Sequence, residues 1–559
     1  MNKRLGIINL SIRLLKLAKS VKKPLIISTL ASVLGNLSQM GFMGFGACII
    51  LNMAGIVNYG STALWASGAF ICAAAIVICR YLEGYISHAA AYQLLANMRV
   101  DMFDTIRKLA PACLMDRVKG DILSVAISDI ETIEFFFAHT IGPIFTVILL
   151  PLTALIVAGC NHYLFVAALL PVYIVISVIL PVVAMKTGRN IGMKYRTQVG
   201  MLKGNVLESI YGIKDIQIFG VGENTVEKIK QKTVEINNTA HIMTLHRQLV
   251  TAAPTFFVYL SRILVIAVAS YLSISGIRNP AATIVLSFVV SASFSSTQSF
   301  IRVISSLLET YAAAERLFHL EDTLPEVVEA ENPVDIGEIE EIKLENVEFK
   351  YNKTDKNNIL SGINLMINKN DKIGIMGESG IGKSTVIRLL LRFWEPTGGK
   401  ITVNGIPLKD ISLKSLRKQI ALIEQHTFIF NDSIRANIAL GKPEATEEEI
   451  HTAAKGAGIH DFVLTLPDGY DTQMGEHGGR ISGGEKQRIG IARAILSGAS
   501  MLVMDEPTSN LDVLNEKGFL KVLKNQYADK TYLLVSHRKS TLTDCTQVNR
   551  LEGGLIHFS

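Results

Sequence analysis

The run Gly377-Glu-Ser-Gly-Ile-Gly382-Lys383-Ser384-Thr385 has the spacing G-x-x-x-x-G-K-[ST] of a phosphate-binding loop. Glycines at 377, 380 and 382 let successive backbone N–H groups curl around phosphate oxygens, with Ser379 and Thr385 in the same wall. A helix starting where the loop ends adds positive potential. Lys383 would reach the β- and γ-phosphates of a nucleoside triphosphate, and the Ser384 hydroxyl would bind Mg2+. Further along, Met501-Leu-Val-Met-Asp505-Glu506 is an apolar run that ends in two carboxylates. Mg2+ takes hard oxygen ligands, which suits Asp505. Glu506 would then lie beside the γ-phosphate and orient or deprotonate an attacking water. The chemistry these residues suit is hydrolysis of a phosphoanhydride. An Asp-Glu pair alone says little; the loop upstream gives it meaning.

For these groups to meet, each must come from the end of a strand. Ile342–Tyr351, Lys372–Met376, Ile420–Glu424, Met501–Asp505 and Tyr532–Ser536 read as strands. Helical runs such as Val386–Arg392 separate them. This alternation predicts a mainly parallel α/β core.

The chain before residue 310 is different. At 559 residues it exceeds one ordinary core, so at least two domains are expected. It is 49% hydrophobic, 19% charged and has a mean hydropathy of +0.34. Apolar stretches near 24–51, 62–90, 135–158, 163–185, 248–274 and 281–308 each reach the ~20 residues that cross a bilayer as a helix. The predicted class is a multi-domain membrane protein: an all-α six-helix transmembrane domain (1–310) fused to an α/β P-loop domain (341–559). A Glu-rich linker with Pro325 and Pro333 joins them over 311–340.

Loop charge gives an orientation. Lys3, Arg4, Arg13, Lys16, Lys19, Lys22 and Lys23 precede the first span, whereas 52–61 and 159–162 hold no Lys or Arg. The segments 91–134 and 186–247 carry many, including Arg99, Arg107, Lys108, Lys186, Arg189 and Arg196. The positive-inside rule puts the N-terminus, both long segments and the P-loop domain in the cytoplasm. Both segments read as helices extending the spans. Their breaks, Pro111 to Gly120 and Tyr211 to Gly220, would form short transverse helices. The net charge of +6 flanks the spans and forms no single patch, so no nucleic-acid partner is expected. The six cysteines (Cys48, Cys72, Cys79, Cys113, Cys160, Cys545) show no disulfide or zinc spacing. The first 23 residues are amphipathic and basic, with no cleavable signal peptide visible.

The second span holds ionisable residues. Arg80 and Glu83 are one helical turn apart, and His88 lies further along. Such groups at membrane depth are candidates for substrate contact. Histidine and methionine are also haem-iron ligands, which makes His88 with Met53 a candidate axial pair, Met40 and Met43 being alternatives. The competing reading is that His88 hydrogen-bonds a neighbouring helix.

The remaining motifs of the second domain resemble those of ABC ATPases. Ser482-Gly483-Gly484-Glu485, followed by Lys486-Gln487-Arg488, looks like the signature sequence. Gln425 falls at the Q-loop, His537 at the switch histidine, Ser509-Asn510-Leu511-Asp512 at the D-loop, and Tyr351 at the aromatic that stacks on adenine. The motifs stand in family order over 341–550. The resemblance implies ATP and Mg2+ as ligands, with Ser384, Gln425 and Asp505 around the metal and Glu506, His537 and Gln425 in catalysis. It also implies ATP sandwiched between two such domains, the P-loop of one facing Ser482, Gly483, Gly484 and Glu485 of the other. Hydrolysis would then need a dimer. Two departures stand out: Ile481 where Leu is usual and Glu485 where Gln is usual. Ser482, Gly483 and Gly484 are intact, so a working signature is expected. The short tail after His537 is expected to leave catalysis untouched.

Gly475-Glu476-His477-Gly478 resembles the X-loop of exporter-fold ABC proteins, and Phe428-Ile-Phe-Asn-Asp-Ser-Ile-Arg-Ala-Asn-Ile is similar to their segment after the Q-loop. This implies that the transverse helices sit in grooves on the ATPase domains, the first reaching the partner's. A narrower resemblance is to the CydC subunit of CydDC transporters. It rests on Arg80-Tyr81-Leu82-Glu83, Ser87-His88, Leu94-Leu95, Arg99-Val100, Leu109-Ala110-Pro111-Ala112 and Gly120-Asp121-Ile122-Leu123-Ser124. It implies a heterodimer with a CydD-like partner in the bacterial cytoplasmic membrane, linked to cytochrome assembly, with thiol compounds (cysteine, glutathione) or haem as cargo. The complete hydrolysis set leaves a homodimer open, and the direction of transport is open too.

The expected function is an ATP-hydrolysing half-transporter that moves a small substrate through a lipid bilayer by alternating access. Two alternatives share the fold: an importer of haem or a siderophore-like ligand, and an ATP-gated channel or regulatory subunit. Intact Lys383, Asp505, Glu506 and His537 speak against the channel. The apolar first 310 residues exclude a soluble ABC ATPase of translation or DNA repair.

Overall fold

The computed structural model describes residues 7–58, 60–115, 119–352, 357–475, 478–509 and 513–558. Two compact units divide between Thr323 and Leu324.

The first unit is built of helices. The short amphipathic helix α1 (Ile7–Leu17) turns Leu10 and Leu14 inward at i, i+4. Then come α2 (Lys22–Met53), α3 (Thr62–Leu109), α4 (Gly120–Asn161), α5 (Tyr163–Tyr211), the short α6 (Ile213–Ile218), α7 (Gly222–Ile274) and α8 (Pro280–Glu321). Among the described residues, five helical runs are long and apolar enough to cross a membrane: Asn9–Met53, α3, α4, α5 and α7. The sixth expected span lies on α8, which opens with the apolar stretch Pro280–Ser295. The 53 residues of α7 rise about 80 Å, against a hydrocarbon layer of about 30 Å. Its polar first half therefore lies outside the bilayer, as the charge pattern of 186–247 predicts.

Small residues let the spans approach one another. A Cβ on Gly35 would lie 3.1 Å from Cys79 Cβ, and one on Gly41 would lie 3.1 Å from Cys72 Sγ. A Cβ on Gly44 would lie 3.0 Å from Val289. So α2 packs tightly on α3 and α8 through backbone, as membrane helices do where no hydrophobic effect drives association. Cys72 and Cys79 are free thiols in this packing. Leu150, Phe165, Leu169, Leu272 and Phe294 form a buried cluster with Met40 of α2.

Two expectations change. The last helix, expected to end near 308, runs to Glu321 because Ala313, Ala314, Leu317, Phe318 and Leu320 are buried. The first chain break is one turn, Ala112–Leu114, and its segment, which begins at Leu109, belongs to the second unit. There Ala112 packs against the core of this chain's own α/β unit.

Among its described residues the second unit holds two sheets. One has four strands in the order β2-β1-β4-β5: β1 (Glu341–Phe349), β2 (Leu360–Asn368), β4 (Gly398–Val403) and β5 (Ile406–Pro407). It is antiparallel. The other has six strands in the order β10-β9-β3-β8-β7-β6. Its members are β3 (Lys372–Met376), β6 (Ile420–Ile423), β7 (Met501–Asp505), β8 (Thr531–Ser536), β9 (Gln547–Glu552) and β10 (Leu555–Phe558). β3, β7 and β8 have the expected bounds to within a residue, and β8 is buried along its whole length. That fits a parallel strand covered on both faces. The first predicted strand belongs instead to the antiparallel sheet. Its neighbour β2 alternates buried and exposed residues, the mark of a sheet covered on one face.

Arg392 ties the segment before β1 to this unit. It is 1% exposed and donates to Glu395 Oε1 at 2.8 Å, Ile411 O at 2.9 Å and Val328 O at 2.9 Å. Arg392→Ala is expected to lower unfolding stability by about 2–4 kcal/mol, because the buried Ile411 carbonyl and the Glu395 carboxylate lose a charged donor and the Val328 carbonyl loses its tether. Thermal unfolding of the purified protein checks this; an unshifted midpoint would remove Arg392 as a tether.

Candidate functional site

The phosphate-binding loop leaves β3 at Met376 and enters helix α9 (Lys383–Leu390). Gly380 and Gly382 have φ of 83° and 109°, which glycine adopts without a steric cost. A Cβ on Gly377 would come within 2.9 Å of Leu551 O, and one on Gly382 within 2.9 Å of Ile359 Cγ2. The loop can close only on glycine at these points.

Sheet register brings the other groups to the same edge. Met376 lies opposite Ser536, Asp505 opposite Val535, and Ile423 opposite Met504. The carboxyl ends of these parallel strands therefore deliver Gly377, His537, Glu506 and Gln425 side by side, at the edge where open α/β sheets bind ligands.

The contacts are close. Lys383 Nζ donates to Gly377 O at 3.0 Å and Glu378 O at 2.7 Å, and lies 3.2 Å from Glu506 Oε1. The other Glu506 oxygen is 3.1 Å from His537 Nδ1. Glu506 is 15% exposed and has a φ of 45°, a conformation non-glycine residues rarely hold outside functional sites. Ser384 Oγ donates to Asp505 Oδ1 at 2.9 Å. Burial pushes the Asp505 carboxyl above its ordinary range, the Ser384 hydrogen bond opposes this, and the charge of Glu506 adds to it. Tyr351 packs edge-on against Phe349 and Trp394. Its hydroxyl meets Thr385 Oγ1 at 3.1 Å and accepts from Arg388 Nη1 at 2.6 Å.

Hard oxygens at Ser384 and Asp505, with the Gln425 amide exposed at the next strand end, fit Mg2+. The Gln425 side chain makes no hydrogen bond among the described residues. When bound, Mg2+ would neutralise developing phosphate charge.

Two groups here escaped the sequence reading. Burial and the charge of Asp505 push the Glu424 carboxyl up. Its position just past β6, beside the end of β7, was the available signal. Arg388 was legible only as the residue one turn beyond Ser384 on the helix.

Ser482 caps helix α10 (Gly483–Ser497). Its hydroxyl accepts from Glu485 N at 3.4 Å, and Glu485 Oε2 accepts from Ser482 N at 2.6 Å. The capping box accommodates the departure at Glu485: its carboxylate accepts from the cap's own N–H, as a Gln amide oxygen would. Gln487 Nε2 donates to Pro507 O, which links α10 to the strand end that carries Glu506. Ser482 and Gly483 are exposed. Among the described residues, no hydrogen bond or ion pair joins 482–485 to the P-loop. The Ser509 amide donates to Glu506 O at 3.2 Å, and its hydroxyl is buried without a partner among the described residues. Asn510, Leu511 and Asp512 lie outside the described residues, as do Glu476 and His477.

In the first unit, Arg80 Nη1 donates to Glu83 Oε2 at 2.9 Å and Arg80 Nη2 to Asn36 Oδ1 at 3.0 Å. Both charged residues line a cavity of about 460 Å3 with Ser32, Asn36, His139 and Thr146. His88 Nδ1 is 3.2 Å from Glu134 Oε1 on α4, so it does bond a neighbouring helix. Its ring also lies 4.9 Å from that of His139. Met53 and His88 do not meet. Asn52 Nδ2 is 3.0 Å from Thr62 Oγ1, which places Met53 beside the start of α3. From Thr62 to His88 that helix rises about 39 Å. One iron cannot take both as axial ligands. Met40 is buried, and Met43 lines a different cavity.

Fold and site define a membrane-spanning helical domain fused to a P-loop ATPase. Residues 25–297 match the family described as ABC transporter transmembrane region, and residues 360–509 the family described as ABC transporter. The chain is 38% identical over 538 residues to a protein of Haemophilus influenzae described as a probable ABC transporter ATP-binding/permease protein, covering 95% of this chain and 97% of that one. It is 30% identical over 484 residues to a putative multidrug export ATP-binding/permease protein of Bacillus subtilis, covering 85% of this chain and 82% of the other. It is 28% identical over 489 residues to an ATP-dependent lipid A-core flippase of Syntrophus aciditrophicus, covering 86% and 79%. The solved structure of a bacterial Atm1-family ABC exporter with ATP bound shares the fold, with a TM-score of 0.84 at 23% identity, covering 96% of this chain and 94% of that one. This chain belongs to the ABC transporters. It is a half-transporter of the exporter fold, a multi-pass membrane protein that couples ATP hydrolysis to transport, and such halves work as dimers.

Proposed function

We propose that this half-transporter exports an organic solute through the bacterial cytoplasmic membrane by alternating access, with its ATPase domain and N-terminus in the cytoplasm. One observation carries the reading. Lys383, Glu506 and His537 form a complete hydrolytic set, while Ser482 stands exposed on a helix start that, among the described residues, makes no bond to that set. A second chain must supply the signature face. ATP binds the closed pair better than the open one, so binding drives closure and hydrolysis resets it.

The relatives' names support a broad cargo class, since they speak of multidrug export and of lipid A-core flipping. A thiol compound is the narrower reading. The CydC-like stretch supports it, and the cavity at Arg80 and Glu83 suits a solute with both an ammonium and a carboxylate group. Haem has lost the axial pair that favoured it. The same stretch favours a CydD-like partner, and the complete set on this chain also accommodates a copy of itself.

Reconstituted protein should show vanadate-sensitive ATP hydrolysis and no ATP-gated current in planar bilayers. A current would turn the reading toward a channel. A smaller expectation concerns Glu485, whose charge sits at the helix start that would face the partner's γ-phosphate. Glu485→Gln keeps an acceptor for the cap and removes the charge. The half-saturating ATP concentration is expected to fall about two- to fivefold. An increase would mean the carboxylate is needed for the cap itself.

A further inference from the structure

Arg262 is the only charged side chain between Arg247 and Ile274 on α7. It lies about 18 Å along the helix from the end at Ile274, near the middle of a hydrocarbon layer about 30 Å thick. An arginine at that depth is costly and cannot reach the interface by extending its side chain. Such residues ordinarily find a carboxylate. Among the described residues, the Arg262 guanidinium has no acidic group within ion-pairing distance. Among those residues its one partner is the Tyr259 ring, with the guanidinium carbon 5.3 Å from the ring centre.

What it does face is a cavity. Arg262 lines a space of about 520 Å3 between α2, α7 and α8, within the usual range for small-molecule sites. Among the described residues, no acidic residue lines it. Its polar groups are Gln39 on α2 and Ser261, Ser287, Ser291 and Ser295 on α7 and α8. Ser261 and Ser287 donate to carbonyls of their own helices. The Gln39 amide and the Ser291 hydroxyl make no hydrogen bond among the described residues, so both can donate to a ligand. The other walls are apolar: Met43, Val265, Ile266, Phe288 and Phe294.

We propose that this cavity binds an organic anion with an apolar body. Arg262 forks onto its carboxylate, sulfonate or phosphate, and Gln39 and Ser291 donate the remaining hydrogen bonds. A planar guanidinium matches two oxygens of such a group at once. The apolar walls bury the body, and the lack of carboxylates in the lining removes any welcome for a cation. The site is separate from the Arg80–Glu83 cavity, where the guanidinium is already paired. The inference rests on the reading of the chain as an exporter of organic solutes and names the cargo class of this cavity. A soluble anion and an anionic lipid present the same chemistry to Arg262.

The test measures ATP hydrolysis by the full transporter in nanodiscs of phosphatidylcholine, titrated with taurocholate as a soluble organic anion and tetraphenylphosphonium as an apolar cation. A parallel arm replaces part of the lipid with phosphatidylglycerol. Taurocholate should stimulate the wild type. Arg262→Ala should raise the half-saturating taurocholate concentration about tenfold or more, as loss of a charge-assisted hydrogen bond does. Arg262→Lys should recover part of the loss, because it keeps the charge and drops the fork. Stimulation only by phosphatidylglycerol, lost in Arg262→Ala, assigns the anion to a lipid headgroup. Equal taurocholate response in wild type and Arg262→Ala, with no Arg262-dependent lipid effect, overturns the proposal. So does stimulation by tetraphenylphosphonium alone, which would still leave the chain a transporter. Absence of vanadate-sensitive hydrolysis under every condition would instead strike the exporter reading.

Discussion

Glu506→Gln is expected to lower ATP turnover by about 10²- to 10⁴-fold and to leave ATP binding intact. The substitution is nearly isosteric. Gln can hold the same backbone at φ 45° and still accept from Lys383, so the P-loop keeps its shape. It cannot take a proton from water. A structural role for Glu506 would look different: its loss would lower the unfolding midpoint and weaken nucleotide binding together. The contacts of Lys383 add a reason to place the base here. An ammonium has three N–H donors. All three have acceptors in the loop and its neighbour: Gly377 O, Glu378 O and Glu506 Oε1. A γ-phosphate that takes Lys383 must displace at least one of them, and release of Glu506 would free the carboxylate as the substrate arrives. His537, 46% exposed and bonded to the other Glu506 oxygen, positions that carboxylate. Single-turnover hydrolysis and equilibrium ATP binding by the variant check the claim. Wild-type turnover in Glu506→Gln would remove Glu506 from the role of base and shift it to His537.

The nucleotide site was legible because its signals are local. A glycine spacing defines the loop, and an apolar run such as Met501–Asp505 can only be a covered strand, so both ends of β7 were read to the residue. What stayed hidden depended on register between distant segments. Glu424 and Asp505 approach because Ile423 pairs with Met504, a fact that no short window contains. The capping box at Ser482 and Glu485 had a visible S-x-x-E spacing, yet the family comparison turned Glu485 into an oddity. In the membrane domain the limit is sharper. Met53 and His88 both suit iron by type, and only the antiparallel run of α2 and α3, fixed by Gly35 against Cys79 and Asn52 against Thr62, shows them at opposite ends. Arg262 stood alone in an apolar span, and its meaning needed the cavity.

The second large effect should come from Gly483, the first residue of the signature helix. A Cβ there meets no atom within 4 Å in this chain, and the position is exposed. Gly483→Asp therefore disturbs nothing inside the fold, and an acidic residue in the first turn of a helix is mildly stabilising. Unfolding midpoint and ATP binding at this chain's own Lys383 should be unchanged. Turnover should nonetheless fall about a hundredfold or more, because the new carboxylate would confront a γ-phosphate held by another chain, and like charges in such an interface cost several kcal/mol. Mixing then reads the partner. Glu506→Gln and Gly483→Asp chains are each inactive alone. If copies of this chain pair, about half the dimers in a mixture are mixed, and in those one site carries both defects and the other neither. Activity would return to about a quarter of wild type. A CydD-like heterodimer predicts no recovery from mixing and recovery only with the second chain. Wild-type turnover by Gly483→Asp would mean that one chain closes its own site, and the dimer requirement would fall with it.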